Sequence, residues 1–184
     1  RDRTEQLAKC LQGLLNLSHT AKEIIVVDNA PSSNATRELV DKIPGIRYIL
    51  EPRLGLSVAR NTGIHNCTGD IIAFTDDDAI VHSDWIARLQ YGFRDPKVLA
   101  VTGLVLPAEL ETEAQLIFQK GSASGEGWGY RGLNFDSQYF ERMRPRGVPV
   151  WRIGAGVNMA FRRQVFDLVG YFDERLGAGA SGCS

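Results

Sequence analysis

"DIIAFTDDDAIVHSDW", residues 70–85, runs from an apolar stretch straight into three adjacent carboxylates, Asp76, Asp77 and Asp78. Two unit charges ~4 Å apart repel by about 1 kcal/mol in water and about 4 kcal/mol at an effective dielectric of ~20. A solvated turn tolerates that cost, whereas a cleft needs a cation. The run before the triplet, Ile71-Ile72-Ala73-Phe74, is apolar throughout rather than alternating, as a strand covered on both faces is.

The same pattern recurs to either side. "EIIVVD" (23–28) and "IRYIL" (46–50) read as strands, and "VLAVTG" (98–103) closes the series. Between them lie helical periodicities: Leu7, Leu11, Leu14 and Leu15; then Leu39, Val40 and Ile43; then Leu56, Ala59 and Gly63 in "GLSVARNTGIHN" (55–66). Ile86, Leu89 and Phe93 share a further helical face, for which Ser83 is the expected cap. Alternating, continuously apolar strands and helices predict an α/β fold with a mostly parallel sheet covered on both faces. Ligands of such sheets bind beyond the carboxyl ends of the strands. Asp28 and the triplet both stand at such ends, so they are expected to face one crevice.

After residue 107 the rhythm breaks. "KGSASGEGWGYRG" (120–132) is rich in glycine and reads as a loop or lid. "VPVWRIGAGVNMAFRR" (148–163) returns to strand-like composition, and "RQVFDLVG" to a short helix ended by Gly170.

Bulk properties narrow the function. The 184 residues, 43% hydrophobic and 23% charged, suit one soluble globular domain with a sizeable core. A net charge of −1 gives no general attraction to nucleic acid or an anionic membrane. No apolar run approaches the ~20 residues of a membrane span. Cys10, Cys67 and Cys183 are far apart and without metal-ligand spacing, which suits a reducing compartment better than a disulfide framework. The Asn-X-Ser/Thr triplets at Asn16, Asn34 and Asn66 are of a kind that arises often by chance.

The triplet admits several metal-type readings. An EF-hand starting at Asp76 needs Gly at its sixth position and Glu at its twelfth, where Val81 and Ala87 stand. Zinc wants His or Cys nearby, and His82 stands alone. An aspartyl-phosphate phosphatase needs a later Lys and a further acidic pair; beyond Lys120 the aspartates are the scattered Asp136, Asp167 and Asp173, the last beside Glu174. A hard cation held by one or two carboxylates, water and phosphate remains, competing with a plain polar turn.

The set "IIVVDNAP", "EPRLGLSVARNTGI", "GDIIAFTDDDAIVHSDW" and "GAGVNMAFRRQVFDLVGYFDERLG" resembles glycosyltransferase family 2, the inverting enzymes of the GT-A fold. That resemblance implies a Rossmann-like three-layer sandwich and transfer of a sugar from a nucleotide-diphosphate sugar, by default a UDP-sugar, to an acceptor hydroxyl. It implies Mn²⁺ or Mg²⁺ as cofactor and a sugar, lipid-linked or protein acceptor. It places nucleotide contacts at Asp28, Arg60 and Asp76, and the metal on Asp78 with Asp76 in the family's Asp-X-Asp. Trp151, Gly156 and Asn158 fall on the acceptor side. "FDERLG" (172–177) would shape the turn into the catalytic segment, without Asp173 or Glu174 as base. The general base is expected after Ser184, and the family's opening strand before "RDR". Residues 1–184 thus read as a single nucleotide-sugar-binding domain, incomplete at both ends. Such a piece is expected to bind donor weakly, to lack activity, and to have a gap near the middle of its sheet. The resemblance also implies a cytoplasmic place, free or peripheral at the membrane face, and leaves a homo-oligomer open. The competing readings are a sugar-phosphate nucleotidyltransferase and a non-catalytic nucleotide-binding or interaction module.

Overall fold

Two strands in parallel register carry the first layer. β1 (Ile24–Asn29) pairs with β2 (Ile46–Glu51) from Ile24↔Ile46 to Asn29↔Glu51, which sets Asp28 opposite Leu50. The computed structural model of the chain describes residues 3–121 and 132–180, apart from the side chains of residues 118–121 and Trp151. Most of the glycine-rich stretch read as a lid, and the last four residues, lie outside the described residues.

The faces of the β1–β2 ladder are covered by different helices. α1 (Thr4–Leu15) and α2 (Ala35–Val40) bury Leu7, Leu11 and Val40 against Ile24, Val26, Ile46 and Tyr48. α3 (Leu56–Asn66) lies on the opposite face, where Gly63 meets Val27. Successive strand residues point to opposite faces, so Val26 and Val27 serve the two layers in turn. The remaining strands, β3 (Ile71–Phe74), β4 (Ala100–Thr102) and β5 (Met159–Arg162), form a second sheet in the order β3-β5-β4. The Arg162 N–H donates to the Leu99 carbonyl and the Gly103 N–H to the Asn158 carbonyl. Rising numbers on one strand thus meet falling numbers on the other, and β4 and β5 run antiparallel. The α/β class holds; the strands form two sheets, β1–β2 parallel and the other containing the antiparallel β4–β5 pair.

By packing, the chain comprises two units: Arg1–Ile72 with Asp77–Leu99 and Phe161–Ser184, and Ala73–Asp76 with Ala100–Ala160. In the first, α4 (Trp85–Gly92) buries Leu89, with Phe93 buried just past its end. α7 (Gln164–Val169) ends at Gly170, whose φ of 83° only glycine adopts cheaply. Arg162 donates from Nε to the Val98 carbonyl and from Nη2 to that of Phe93. Arg163 donates to the carbonyls of Gly69 and Cys67. The adjacent arginines therefore satisfy loop carbonyls before β3 and β4, a use that their charge alone does not announce. The second unit contains α5 (Glu113–Gly121) and α6 (Ser137–Met143), the latter capped by Asp136, which accepts from the Tyr139 N–H.

Three local expectations fail. Ser83 does not cap α4: Asp84 occupies the cap position without a side-chain bond, while the Ser83 carbonyl accepts from Ser18. The "VPVWRIGAGVNMAFRR" segment is strand only at Met159–Arg162, because Val150–Arg152 winds into a 3-10 turn after Pro149. The buried face of α3 is Ser57, Val58, Asn61 and Ile64, and Leu56 is exposed. Ser57 and Asn61 turn inward because both hold backbone of the 172–178 segment, as described below.

Candidate active site

Three groups of charged residues stand in the first unit. Asp28 is the last residue but one of β1 and is 5% exposed, its Oδ2 accepting the Tyr48 phenol O–H at 2.9 Å. Burial first, then the bond to Asp28, pushes the Tyr48 phenol above its ordinary value of 10, so it stays a donor in the neutral range.

The second group is the acidic turn after β3. Asp77 Oδ1 and Asp78 Oδ2 lie 2.5 and 2.6 Å from the two terminal nitrogens of Arg3, which sits at the start of α1. One guanidinium fork thus clasps two neighbouring carboxylates and offsets their repulsion. Asp76 is half-buried and falls in the second unit. Among the described residues no three His, Cys, Asp or Glu side chains converge as a complete metal cage. A Mg²⁺- or Mn²⁺-type ion does not need one, since one or two carboxylates with water and phosphate suffice. Asp78, already drawn onto a cation, has the donor chemistry for such an ion, as does the carboxylate of Asp76.

The third group is centred on Glu51 at the end of β2, 6% exposed. Its carboxylate accepts from Arg53 Nε and Nη2, from the Arg53 backbone N–H and from Thr62 Oγ1 at 2.6 Å. The Arg53 guanidinium, and next the Thr62 hydroxyl, hold the Glu51 carboxyl down at about 2 against the opposing effect of burial. Arg53 also bonds Glu174 at 3.1 Å, and Asn61 bonds the Phe172 carbonyl at 2.9 Å and accepts from its N–H at 3.0 Å. The Ser57 hydroxyl donates to the Leu176 carbonyl at 2.8 Å, and the Leu56 N–H donates to that of Ala178 at 2.9 Å. The 172–178 segment is thereby fastened to the start of α3 and the end of β2. Arg60 stacks its guanidinium 5.4 Å from the centre of the Phe172 ring. Glu174 is engaged by Arg53 and Asn61, and Asp173 by Arg175, which holds it at about 2. Asp173, held that low, is a poor proton acceptor in the neutral range.

In the second unit, Asn158 donates from Nδ2 to the Leu104 carbonyl at 3.0 Å, and Thr102 Oγ1 donates to the Ile153 carbonyl at 2.6 Å. Gly156 lies in the turn before β5, and the Trp151 backbone lies in the 3-10 turn. A Cβ on Gly154 would sit 2.4 Å from Thr102 Cβ, too close for any rotamer to relieve. Gly154→Ala is expected to cost about 2 kcal/mol through overpacking; thermal unfolding within 1 °C of wild type would contradict this.

Arg3, Tyr48 and Glu51 were not singled out from the sequence. Only Tyr48 left a usable signal: aligning "IIVVD" with "IRYIL" in parallel places it two pairs before Asp28, on the same face.

A family model described as "Glycosyl transferase family 2" matches residues 2–170. Succinoglycan biosynthesis protein ExoM of Rhizobium meliloti (strain 1021) is 39% identical over 110 residues, 56% of this chain and 36% of that protein. Glucosyl-dolichyl phosphate glucuronosyltransferase of Haloferax volcanii is 25% identical over 180 residues, 96% of this chain and 54% of that protein. A solved mannosyltransferase, PcManGT from Pyrobaculum calidifontis in complex with GDP-Man and Mn²⁺, superposes with a TM-score of 0.65 at 20% identity. That match covers 98% of this chain and 47% of that one, and shows the fold alone. The chain spans 36% and 54% of the lengths of the two curated relatives. No helix among the described residues is long and apolar enough to cross a membrane.

Proposed function

Because the chain belongs to glycosyl transferase family 2, we propose that it serves transfer of a sugar from a nucleoside-diphosphate sugar, by default a UDP-sugar, to an acceptor hydroxyl with inversion. The observation that carries this reading is the clasp of Asp77 and Asp78 on one cation just past β3, at the carboxyl end where α/β sheets take ligands.

Each residue has a stated task. Asp28 accepts from the base or ribose, and the Arg60 cation lies on the nucleotide side. Asp76 contacts ribose and, with Asp78, would hold a Mn²⁺ or Mg²⁺ ion. When bound, that ion neutralises the charge that builds up on a departing diphosphate. Asp78 also pairs with Arg3, so the guanidinium and a bound ion would compete for its carboxylate. The acceptor enters on the Trp151, Gly156 and Asn158 side; its hydroxyl attacks the anomeric carbon and loses its proton to a general base. None of the described acids is assigned as that base.

Calorimetric titration of UDP with and without Mn²⁺, on the protein and on Asp78→Ala, tests the reading. Expected is Mn²⁺-dependent binding, weakened at least ten-fold by the substitution. Equal affinity with and without Mn²⁺ would remove the metal from the proposal, and no binding at all would favour the non-catalytic interaction module.

A further inference from the structure

The carboxylate of Asp28 is bound on one side only. In the parallel ladder Val26 faces Tyr48 and Asp28 faces Leu50, two pairs apart, so Tyr48 and Asp28 rise from the same face. The phenol takes Oδ2 at 2.9 Å, and among the described residues no other donor reaches Asp28. No fully buried side-chain oxygen or nitrogen among those residues lacks a partner. The unpartnered Oδ1 of this otherwise buried residue therefore keeps access to open space. Tyr48 is itself held in place: Ile46 and Val26 pack with it on the core, and the Arg37 guanidinium lies 5.8 Å from its ring centre. Tyr48, Leu50, Arg37 and Pro52 line a cleft of about 520 Å³ on this side of the ladder.

We propose that Tyr48 is a positioning residue that sets the nucleobase specificity of Asp28, a proposal that rests on the reading of Asp28 as a nucleotide contact. With Oδ2 committed to the phenol, Asp28 offers a ligand one well-directed acceptor, Oδ1. The imide edge of uracil or thymine presents a single N–H and matches that acceptor. The corresponding edge of guanine presents two parallel donors, N1–H and an N2–H, which a carboxylate meets best with both oxygens as a fork. Against Tyr48-bound Asp28 one guanine donor is left poorly met, and an unmet donor in a closed site counts heavily against a ligand. Tyr48 acts here through Asp28, by removing one of its two faces from competition.

The test is a set of dissociation constants for UDP and GDP at fixed Mn²⁺, measured on wild type, Tyr48→Phe, Asp28→Ala and the double variant. Wild type is expected to favour UDP at least ten-fold. Tyr48→Phe frees Oδ2 and is expected to narrow that ratio to about three-fold or less, chiefly by tightening GDP. In the Asp28→Ala background, Tyr48→Phe is expected to leave the ratio where it was, which a merely structural phenol would not require. Equal affinities in wild type, or an unchanged ratio in Tyr48→Phe, would overturn the role of Tyr48 and leave Asp28 as a contact. UDP affinity unaffected by Asp28→Ala would sink the underlying reading instead.

Discussion

Leu11→Ala is expected to lower the unfolding free energy by about 3 to 4 kcal/mol. Leu11 is 1% exposed and stands at the centre of the cluster formed with Leu7 and Val40, over Ile24, Val26 and Ile46. Truncation removes the transfer free energy of the lost methyl groups and leaves a cavity between α1 and the β1–β2 ladder. Such Leu→Ala changes cost 2–5 kcal/mol according to how well the site collapses. Collapse here is limited: the wall opposite is two hydrogen-bonded strands, and Val40, 2% exposed, is already packed. Leu15, on the same helix but 48% exposed, provides the contrast; its replacement by alanine should fall within about 0.5 kcal/mol. Urea unfolding of the three proteins checks both values. A Leu11→Ala midpoint matching that of Leu15→Ala would mean that α1 does not hold its place against the ladder.

Glu51→Ala should cost about 3 kcal/mol and blunt the response of stability to acid. The substitution leaves the Arg53 N–H and the Thr62 hydroxyl without their acceptor and releases the Arg53 fork. Charge-assisted bonds to a buried carboxylate contribute about 1.5–3 kcal/mol each, and those from Arg53 fall short of that because its side chain is 59% exposed. The sign of the pH effect follows from the depressed carboxyl. Its folded value of about 2 lies below the ordinary 4.5. The ionised form is thus favoured by folding, and the stabilisation is complete above pH 4.5. It declines as pH falls below 4.5 and is gone once pH passes below about 2. Wild type should therefore lose stability across that window more steeply than Glu51→Ala. Parallel acid unfolding curves would show that folding does not hold the Glu51 carboxyl down. Arg53 and Asn61 also fasten the 172–178 segment, so the variant should loosen it, visible as faster amide exchange at Phe172.

The strands legible in the sequence were the ones whose apolar runs stand alone. "EIIVVD", "IRYIL" and "DIIAFTD" mark β1, β2 and β3 to within about two residues, because burial on both faces requires an uninterrupted apolar run. α1 was legible through Leu7 and Leu11, whose spacing fits a single stripe. α3 misled for the opposite reason. Its inward face carries Ser57 and Asn61, and a pattern search for apolar spacing selects Leu56, Ala59 and Gly63 instead. Polar residues are inside here because they bond a distant segment of backbone, and no local periodicity encodes that. The 150–153 stretch misled through composition: Val150, Trp151 and Ile153 are good strand formers, but the stretch pairs with no strand among the described residues.

The amino-acid sequence by itself determined the alternation of strands and helices, the carboxylates at strand ends and the family, since each is written in residue order along the chain. Only the tertiary structure decided which partner each charge meets: Arg3 on Asp77 and Asp78, Tyr48 on one oxygen of Asp28, Arg53 between Glu51 and Glu174. These pairs join positions 2 to 121 residues apart. Hydrogen-bond energy depends on distances and angles that are fixed only once the chain has closed on itself.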